Sequence, residues 1–197
     1  MAQSSSQRSF SADAQVQSVS GSRQRGKRLY IGSGERCNWP TLCPTNTMLN
    51  DVYNRRILEL AANIPRLGRL EAPDATATAH SRLCGSTVTV DLKMNGDTII
   101  DFSHEVKACA LGQASSSIMA SHVIGAKAEE LRNLRETVRR MLKENGAPPG
   151  GKWADIAVLE PVRDYKARHA STMLTFDAVT AAIDQIEARR KAVAETP

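Results

Sequence analysis

Hydrophobic and polar residues alternate strictly from Thr87 to Met94, a pattern typical of a strand with one buried face. A second strand is predicted over Thr98–Ala108. Between the two runs, Asn95-Gly96-Asp97 favours a tight turn. The two strands are therefore expected to form an antiparallel hairpin.

The register of this hairpin follows from the requirement that one face be apolar. A two-residue loop fails that test, whereas a three-residue loop that pairs Met94 with Thr98 passes it. Residues from both strands then share one face: Val88, Val90 and Leu92 with Ile100, Phe102 and Val106. The same register sets Cys84 opposite Ala108 and beside Cys109. The two cysteines are thus expected at one end of the hairpin.

His104 falls on the apolar face and is expected to be a packed core histidine.

Apolar residues at helical spacing predict three helices, over Leu49–Asn63, Lys127–Glu144 and 172–194. The first can be capped by Asn50 or Asp51 and is ended by Pro65. Residues 67–74 are expected to form a connector. The overall prediction is an α+β domain, with a small antiparallel β-sheet and helices packed on one face.

Cys109 is followed by a turn, by the serines 115–117, which are suited to helix N-capping, and by the apolar run Ile118 to Ile124. We therefore expect Cys109 just ahead of a helix N-terminus. Backbone N–H groups and the helix dipole favour thiolate over thiol there, which makes a cysteine a better metal ligand or nucleophile.

Composition separates residues 1–47 from the rest of the 197-residue chain. This segment is rich in Ser, Gln, Gly and Arg, and its six Lys or Arg against two acidic residues give +4 of the total net charge of +5. We expect it to be a disordered basic N-terminal extension, with the folded domain over 48–197. The body has no charge excess to indicate nucleic-acid binding.

No apolar run approaches the roughly 20 residues that cross a bilayer, and the N-terminus lacks the apolar segment of a secretory signal. A soluble, cytoplasmic protein without membrane association is expected, or a mitochondrial one if residues 1–47 are a transit peptide. In a reducing compartment, cysteines serve more often as metal ligands or reactive groups than in disulfides. Cys37 and Cys43 have no second pair at metal-ligand spacing and are interpreted as incidental.

Two segments contain the cysteines of the folded domain: Leu83-Cys84-Gly85 before the hairpin, and the run from Lys107 through Cys109 to Ser117. Together they resemble the cysteine motifs of the NifU/IscU/SufU iron-sulfur scaffold family. The resemblance continues through Tyr165–Leu174, where the family carries a third cysteine, and the long interval before it is more like SufU than IscU. It implies a SufE/NifU-like fold and a site that holds an assembling iron-sulfur cluster or, in SufU-like proteins, zinc.

The sequence departs from the family pattern at two ligand positions. Ser86 stands where an acidic residue usually follows the first Cys-Gly, and Ser171 stands at the position of the missing third cysteine. Serine is a poor ligand for zinc or iron, so Cys84 and Cys109 are the predicted ligands, with His169 as a candidate third. Ser171 is more simply interpreted as a helix N-cap.

The resemblance predicts a scaffold or carrier protein, not an enzyme, that works with a cysteine desulfurase and apo iron-sulfur recipient proteins. Two chains could supply four thiolates, the usual complement of a [2Fe-2S] cluster, so a homodimer that bridges a cluster is one prediction. The alternatives are a SufU-like, zinc-binding sulfur-transfer protein and a degenerate family member that binds a partner without metal.

Overall fold

In the computed structural model, the described part of the chain is residues 54–195. It contains a three-stranded antiparallel sheet in the order β1 (Ala75–His80), β2 (Thr87–Asn95), β3 (Thr98–Lys107). The helices are α1 (Arg55–Ala62), α2 (Ala110–His122), α3 (Ala128–Lys143) and α4 (Lys166–Ala194), and a 3-10 helical segment covers Gly151–Asp164. The predicted α+β class is confirmed.

One face of the sheet forms the core with two helices. Helix α4 packs on β1 and β2, and α2 packs on β3 and against α4. Strand β2 supplies Val88, Val90 and Leu92, which are fully buried between sheet and helices. Helix α3 packs on α4 from the outside, and the 3-10 segment packs against both α2 and α3. Helix α2, which follows Cys109, and helix α4, which carries Ser171, are therefore anchored to the same sheet face.

The predicted hairpin is present, but its predicted register was wrong. Asn95 pairs with Thr98, so the loop has two residues, and Gly96 at φ +60° adopts the left-handed conformation that such a turn requires. The register then shifts between Met94, which pairs with Ile99, and Lys93, which pairs with Asp101. Ile100 is the extra residue of this bulge and is 54% exposed instead of buried.

The bulge restores the alternation that a two-residue loop alone would lose. Beyond it, Leu92 pairs with Phe102, Val90 with His104 and Val88 with Val106. Cys84 is therefore not opposite Ala108, although β2 still begins where β3 ends. The prediction for His104 is confirmed: it is fully buried, its ring packs edge-on to Phe102 with centroids 5.0 Å apart, and burial lowers its pKa.

The helix predicted over Leu49–Asn63 begins later in the described residues. Asn54 has extended backbone and accepts a hydrogen bond from the Ile57 N–H at 2.9 Å, so α1 begins at Arg55. The expected caps Asn50 and Asp51 lie outside the described residues, as does the predicted boundary at residue 47. The connector after Pro65 is confirmed and covers the edge of β3, where the Gly68 N–H donates to His104 O at 2.9 Å.

Two further boundaries differ from expectation. Helix α2 starts at Ala110, so the serines 115–117 lie inside it and are buried, and Ser115 Oγ donates to the carbonyls of the preceding turn. Helix α4 starts at Lys166 instead of 172. The helix predicted over Lys127–Glu144 is confirmed to within one residue at each end. Across residues 54–195, no helix combines the length and the apolar character needed to span a membrane.

Candidate thiol site

Cys84 lies in the connection between β1 and β2. This loop, residues 81–86, is closed by two backbone hydrogen bonds of 2.9 Å, from Ser81 N to Ser86 O and from Gly85 N to Ser81 O. Gly85 has φ +68°, a conformation that glycine adopts without steric cost. The loop presents the Cys84 side chain and its neighbour Leu83, which is 75% exposed, to solvent.

Two serine hydroxyls surround the Cys84 sulfur. Its Sγ lies 3.3 Å from Ser81 Oγ and 3.0 Å from Ser86 Oγ. Hydrogen bonds with Ser81 and then Ser86 lower the pKa of Cys84 to about 7, against the opposing effect of burial, and the Ser86 backbone and the charge of Arg168 add to the lowering. About half of this thiol is therefore thiolate near neutral pH.

Cys109 occupies the N-cap position of α2, as predicted, and its carbonyl accepts from Gln113 N at 2.9 Å. Its side chain is half-buried against the core, and Sγ lies 3.5 Å from Ser171 Oγ in the second turn of α4. Ser171 is fully buried, and its hydroxyl donates to Arg168 O at 2.9 Å. Because that bond uses its one hydrogen, Ser171 can only accept from the Cys109 thiol.

Gly112 allows α2 and α4 to approach at this point. A Cβ on Gly112 would lie 2.7 Å from the Ala108 side chain and 3.0 Å from the Ser171 carbonyl oxygen. No side chain can be accommodated at these distances without movement of backbone. The contact between Cys109 and Ser171 thus depends on a glycine one turn into α2.

The two cysteines share one end of the hairpin. Thr87 at the start of β2 pairs with Lys107 at the end of β3, so the loop with Cys84 and the segment with Cys109 leave the sheet together. Arg168 links them further, because its charge acts on Cys84 while its carbonyl holds Ser171. The expectation that both cysteines lie at one end therefore agrees with the topology, although the register that led to it was wrong.

The remaining predicted site residues have other contacts. Ser171 lies within α4, so its expected N-cap role was wrong; the backbone of α4 is already helical from Lys166. His169 is buried, and its Nε2 lies 2.9 Å from Arg163 O and 3.2 Å from Val162 O. Since His169 precedes Ser171 by two residues, the two side chains project from different faces of the helix. His169 here anchors the end of the 3-10 segment.

The donor set of one chain is therefore small. Within residues 54–195, no cluster of three or more His, Cys, Asp or Glu side chains could hold a metal ion. Two thiol sulfurs and three serine oxygens form the site, and thiolates are the strong ligands among them. The described residues of one chain therefore do not offer the four strong ligands of a tetrahedral zinc site.

Sequence reasoning missed Ser81 and Arg168. Ser81 contacts Cys84 only because β1 and β2 pair up to His80 and Thr87 and close a six-residue loop. The strand β1 itself, Ala-Thr-Ala-Thr-Ala-His, alternates small apolar and polar residues, which was the signal that could have revealed it. The position of Arg168 beside the thiol site depends on the start of α4 at Lys166, which the sequence did not predict.

Comparison with known proteins reveals related sequences and structures. A family described as the NifU-like N terminal domain matches residues 52–193. The iron-sulfur cluster assembly scaffold protein IscU of Thermotoga maritima is 25% identical over 135 residues, which cover 68% of this chain and 94% of that protein. The zinc-dependent sulfurtransferase SufU of Bacillus subtilis is 22% identical over 134 residues, which cover 68% and 90%.

Among solved structures, the crystal structure of the N-terminal part of a nitrogen-fixing NifU-like protein from Brucella abortus superposes with a TM-score of 0.71. It is 65% identical in sequence and covers 72% of this chain and 98% of that one. The family match over residues 52–193 includes the sheet and both cysteine segments described above.

Proposed function

Because the chain belongs to the NifU-like N-terminal domain family, whose matched relatives include iron-sulfur cluster assembly scaffold proteins, we propose that Cys84 and Cys109 hold a cluster during its assembly. On this proposal the protein is a scaffold or carrier and not an enzyme. Its thiolates would bind the iron of the assembling cluster. The protein would then release the finished cluster to another protein.

The placement of both thiols at one end of the hairpin carries this proposal. Cys84 is exposed and has a pKa of about 7. Releasing its proton on metal binding therefore costs little free energy at neutral pH. Cys109 is fixed between α2 and α4 by the contact with Ser171. One ligand is thus accessible and the other is positioned by the core.

We propose further that the cluster is a [2Fe-2S] centre shared between two chains. The thiol site of one chain offers two thiolates, Cys84 and Cys109, and two apposed sites would offer four, which is the usual complement of such a cluster. Leu83, beside Cys84, exposes 75% of its surface and would be covered in such a pair. The cluster is cargo, and its transfer separates the two chains.

The proposed partners are the proteins that would supply sulfur for the cluster or receive it. A cysteine desulfurase would supply sulfur, and apo iron-sulfur proteins would receive the cluster. Both have to reach the exposed end of the hairpin, where Cys84 and Leu83 lie.

A second candidate function is zinc-dependent sulfur transfer, since one relative is named a zinc-dependent sulfurtransferase. The observation against it is Ser171 at the position expected for a third thiolate, which leaves too few zinc ligands among residues 54–195 of one chain. The third candidate, a family member that binds a partner without metal, remains an outcome of the experiment below.

Anaerobic reconstitution with iron and sulfide tests the proposal, with visible absorption and metal analysis as readouts. We expect a cluster chromophore in the wild type and its loss in both Cys84→Ala and Cys109→Ala. A Cys37→Ala/Cys43→Ala variant is the matched control and should keep the chromophore. Stoichiometric zinc without a chromophore would support sulfur transfer, and the absence of both would refute metal binding.

A further inference from the structure

A groove between α3 and α4 lies on a different face of α4 from Ser171 and is lined by cationic side chains. Its volume is about 560 Å³. The cations are Arg135, Arg139, Lys143 and Lys166, and the single carboxylate in the lining is Asp177. None of these side chains contacts either thiol, so the groove is distinct from the thiol site.

The arginines of the groove are already paired. Arg135 Nε donates to Asp177 Oδ1 at 2.5 Å. Arg139 donates to Glu136 and lies 2.8 Å from a Glu144 carboxylate oxygen, and these bonds raise its pKa. These pairs fix two guanidinium groups along the wall of the groove. Because these bonds engage only Nε of Arg135 and Nε and Nη2 of Arg139, both arginines keep N–H donors for a ligand.

The lysines, by contrast, are not neutralised. Lys143 ends α3 and Lys166 begins α4, both are exposed, and neither has an ion pair within residues 54–195. The first turn of α4 contains no acidic residue, so the positive end of its dipole adds to the charge of Lys166. The open end of the groove therefore offers two ammonium groups that have no ion-pair partner among the described residues.

The length of the row of cationic side chains favours an extended anion over a small one. Arg135, Arg139 and Lys143 are spaced by four residues, so they form one row about 12 Å long on α3. A phosphate ion would occupy only one end of such a row. An extended peptide rises about 3.3 Å per residue, so roughly four residues would follow its length.

We propose that this groove binds an acidic peptide segment of a partner protein. Carboxylates of the segment would pair with Lys143 and Lys166 and meet the outer N–H groups of the arginines, while apolar contacts fall on the exposed Ala170. Because α4 also carries Ser171, which contacts Cys109, the groove and the thiol site share one helix. The proposal does not depend on which metal the thiols bind.

Fluorescence anisotropy with a fluorescein-labelled hexaglutamate peptide tests this proposal, with labelled hexaglutamine as the neutral probe. Hexaglutamate should bind the full chain more tightly than hexaglutamine, and added salt should weaken it. The double variant Lys143→Glu/Lys166→Glu should bind at least about tenfold more weakly. The charge-matched control Lys93→Glu/Lys191→Glu, outside the groove, should lose less than about threefold.

Three results would overturn the proposal. These are equal binding of hexaglutamate and hexaglutamine, equal losses in the two double variants, and displacement of the peptide by equimolar inorganic phosphate, which would indicate a small-anion site. Thermal unfolding of both variants, followed by circular dichroism, verifies that binding is compared between folded proteins. If Lys143→Glu/Lys166→Glu does not fold, Lys143→Gln/Lys166→Gln replaces it with the same expectations.

Discussion

The two cysteines of the thiol site lie in contrasting surroundings. Cys84 is on a six-residue loop and has two serine hydroxyls beside its sulfur, neither of which has another partner among the described residues. Both hydroxyls can donate to a thiolate. Cys109 sits between two helices against Ser171, whose hydrogen is engaged by the Arg168 carbonyl. That hydroxyl can only accept from a thiol.

Serine therefore makes different hydrogen bonds at the two cysteines. At Cys84 the serine hydroxyls can donate to and stabilise the thiolate, and at Cys109 the Ser171 oxygen accepts a hydrogen bond from the thiol. The site thus combines a reactive, accessible thiol with a positioned one. On the proposed function, the exposed Cys84 would be the first to engage iron, and Cys109 would supply the positioned second ligand.

The largest expected effect is on the free energy of unfolding, which should differ between glycine substitutions near Cys109 and near Cys84. Gly112→Val should lower the free energy of unfolding by about 2–3 kcal/mol, because its side chain would overlap Ala108 and the Ser171 carbonyl. Gly85→Ala meets no neighbouring atom and should cost only about 1 kcal/mol, from its positive φ. Urea denaturation measures both.

Gly150→Ala is the control for these substitutions, since Gly150 has open space around it and no positive φ. It should change the free energy of unfolding by no more than about 0.5 kcal/mol. If Gly85→Ala proved as destabilising as Gly112→Val, the distinction between a loop site and a core site would be wrong.

The next effect is on thiol reactivity. Alkylation of Cys84 by iodoacetamide should rise with pH and reach half its maximum near pH 7, because only the thiolate reacts. Ser81→Ala/Ser86→Ala removes the hydroxyl donors, raises the pKa of Cys84 and leaves less thiolate. The rate at pH 7 should then fall about tenfold. Peptide mass spectrometry resolves the two cysteines.

Ser103→Ala, a substitution of a buried serine on β3, is the control for that pair and should leave the pH profile of Cys84 unchanged. An unaltered profile in Ser81→Ala/Ser86→Ala would show that the serines do not tune the thiol.

The smallest effect is expected at Ser171. Ser171→Ala removes the acceptor next to the Cys109 sulfur and should lower the free energy of unfolding by about 1 kcal/mol. The alkylation rate of Cys109 should increase by a few-fold at most, and that of Cys84 should not change. A larger change at Cys84 than at Cys109 would contradict the separate roles assigned to the serines.

The sequence predicted those parts of the fold that depend on local pattern. The position of Cys109 ahead of α2 and the hairpin between β2 and β3 follow from residues close in the chain. The bulge at Ile100 was not predictable, because a two-residue turn plus a bulge and a three-residue turn satisfy the same alternation. The pairing of β1 with β2 brings Ser81 to Cys84, and that contact requires the tertiary structure.

Native mass spectrometry of the anaerobically reconstituted wild-type protein tests most directly whether two chains share a cluster through Cys84 and Cys109. We expect a species with the mass of two chains, two irons and two sulfides, and we expect it to be absent from Cys84→Ala and from Cys109→Ala. A single chain that carries one zinc ion, or a two-chain cluster species that persists in either alanine variant, would contradict it.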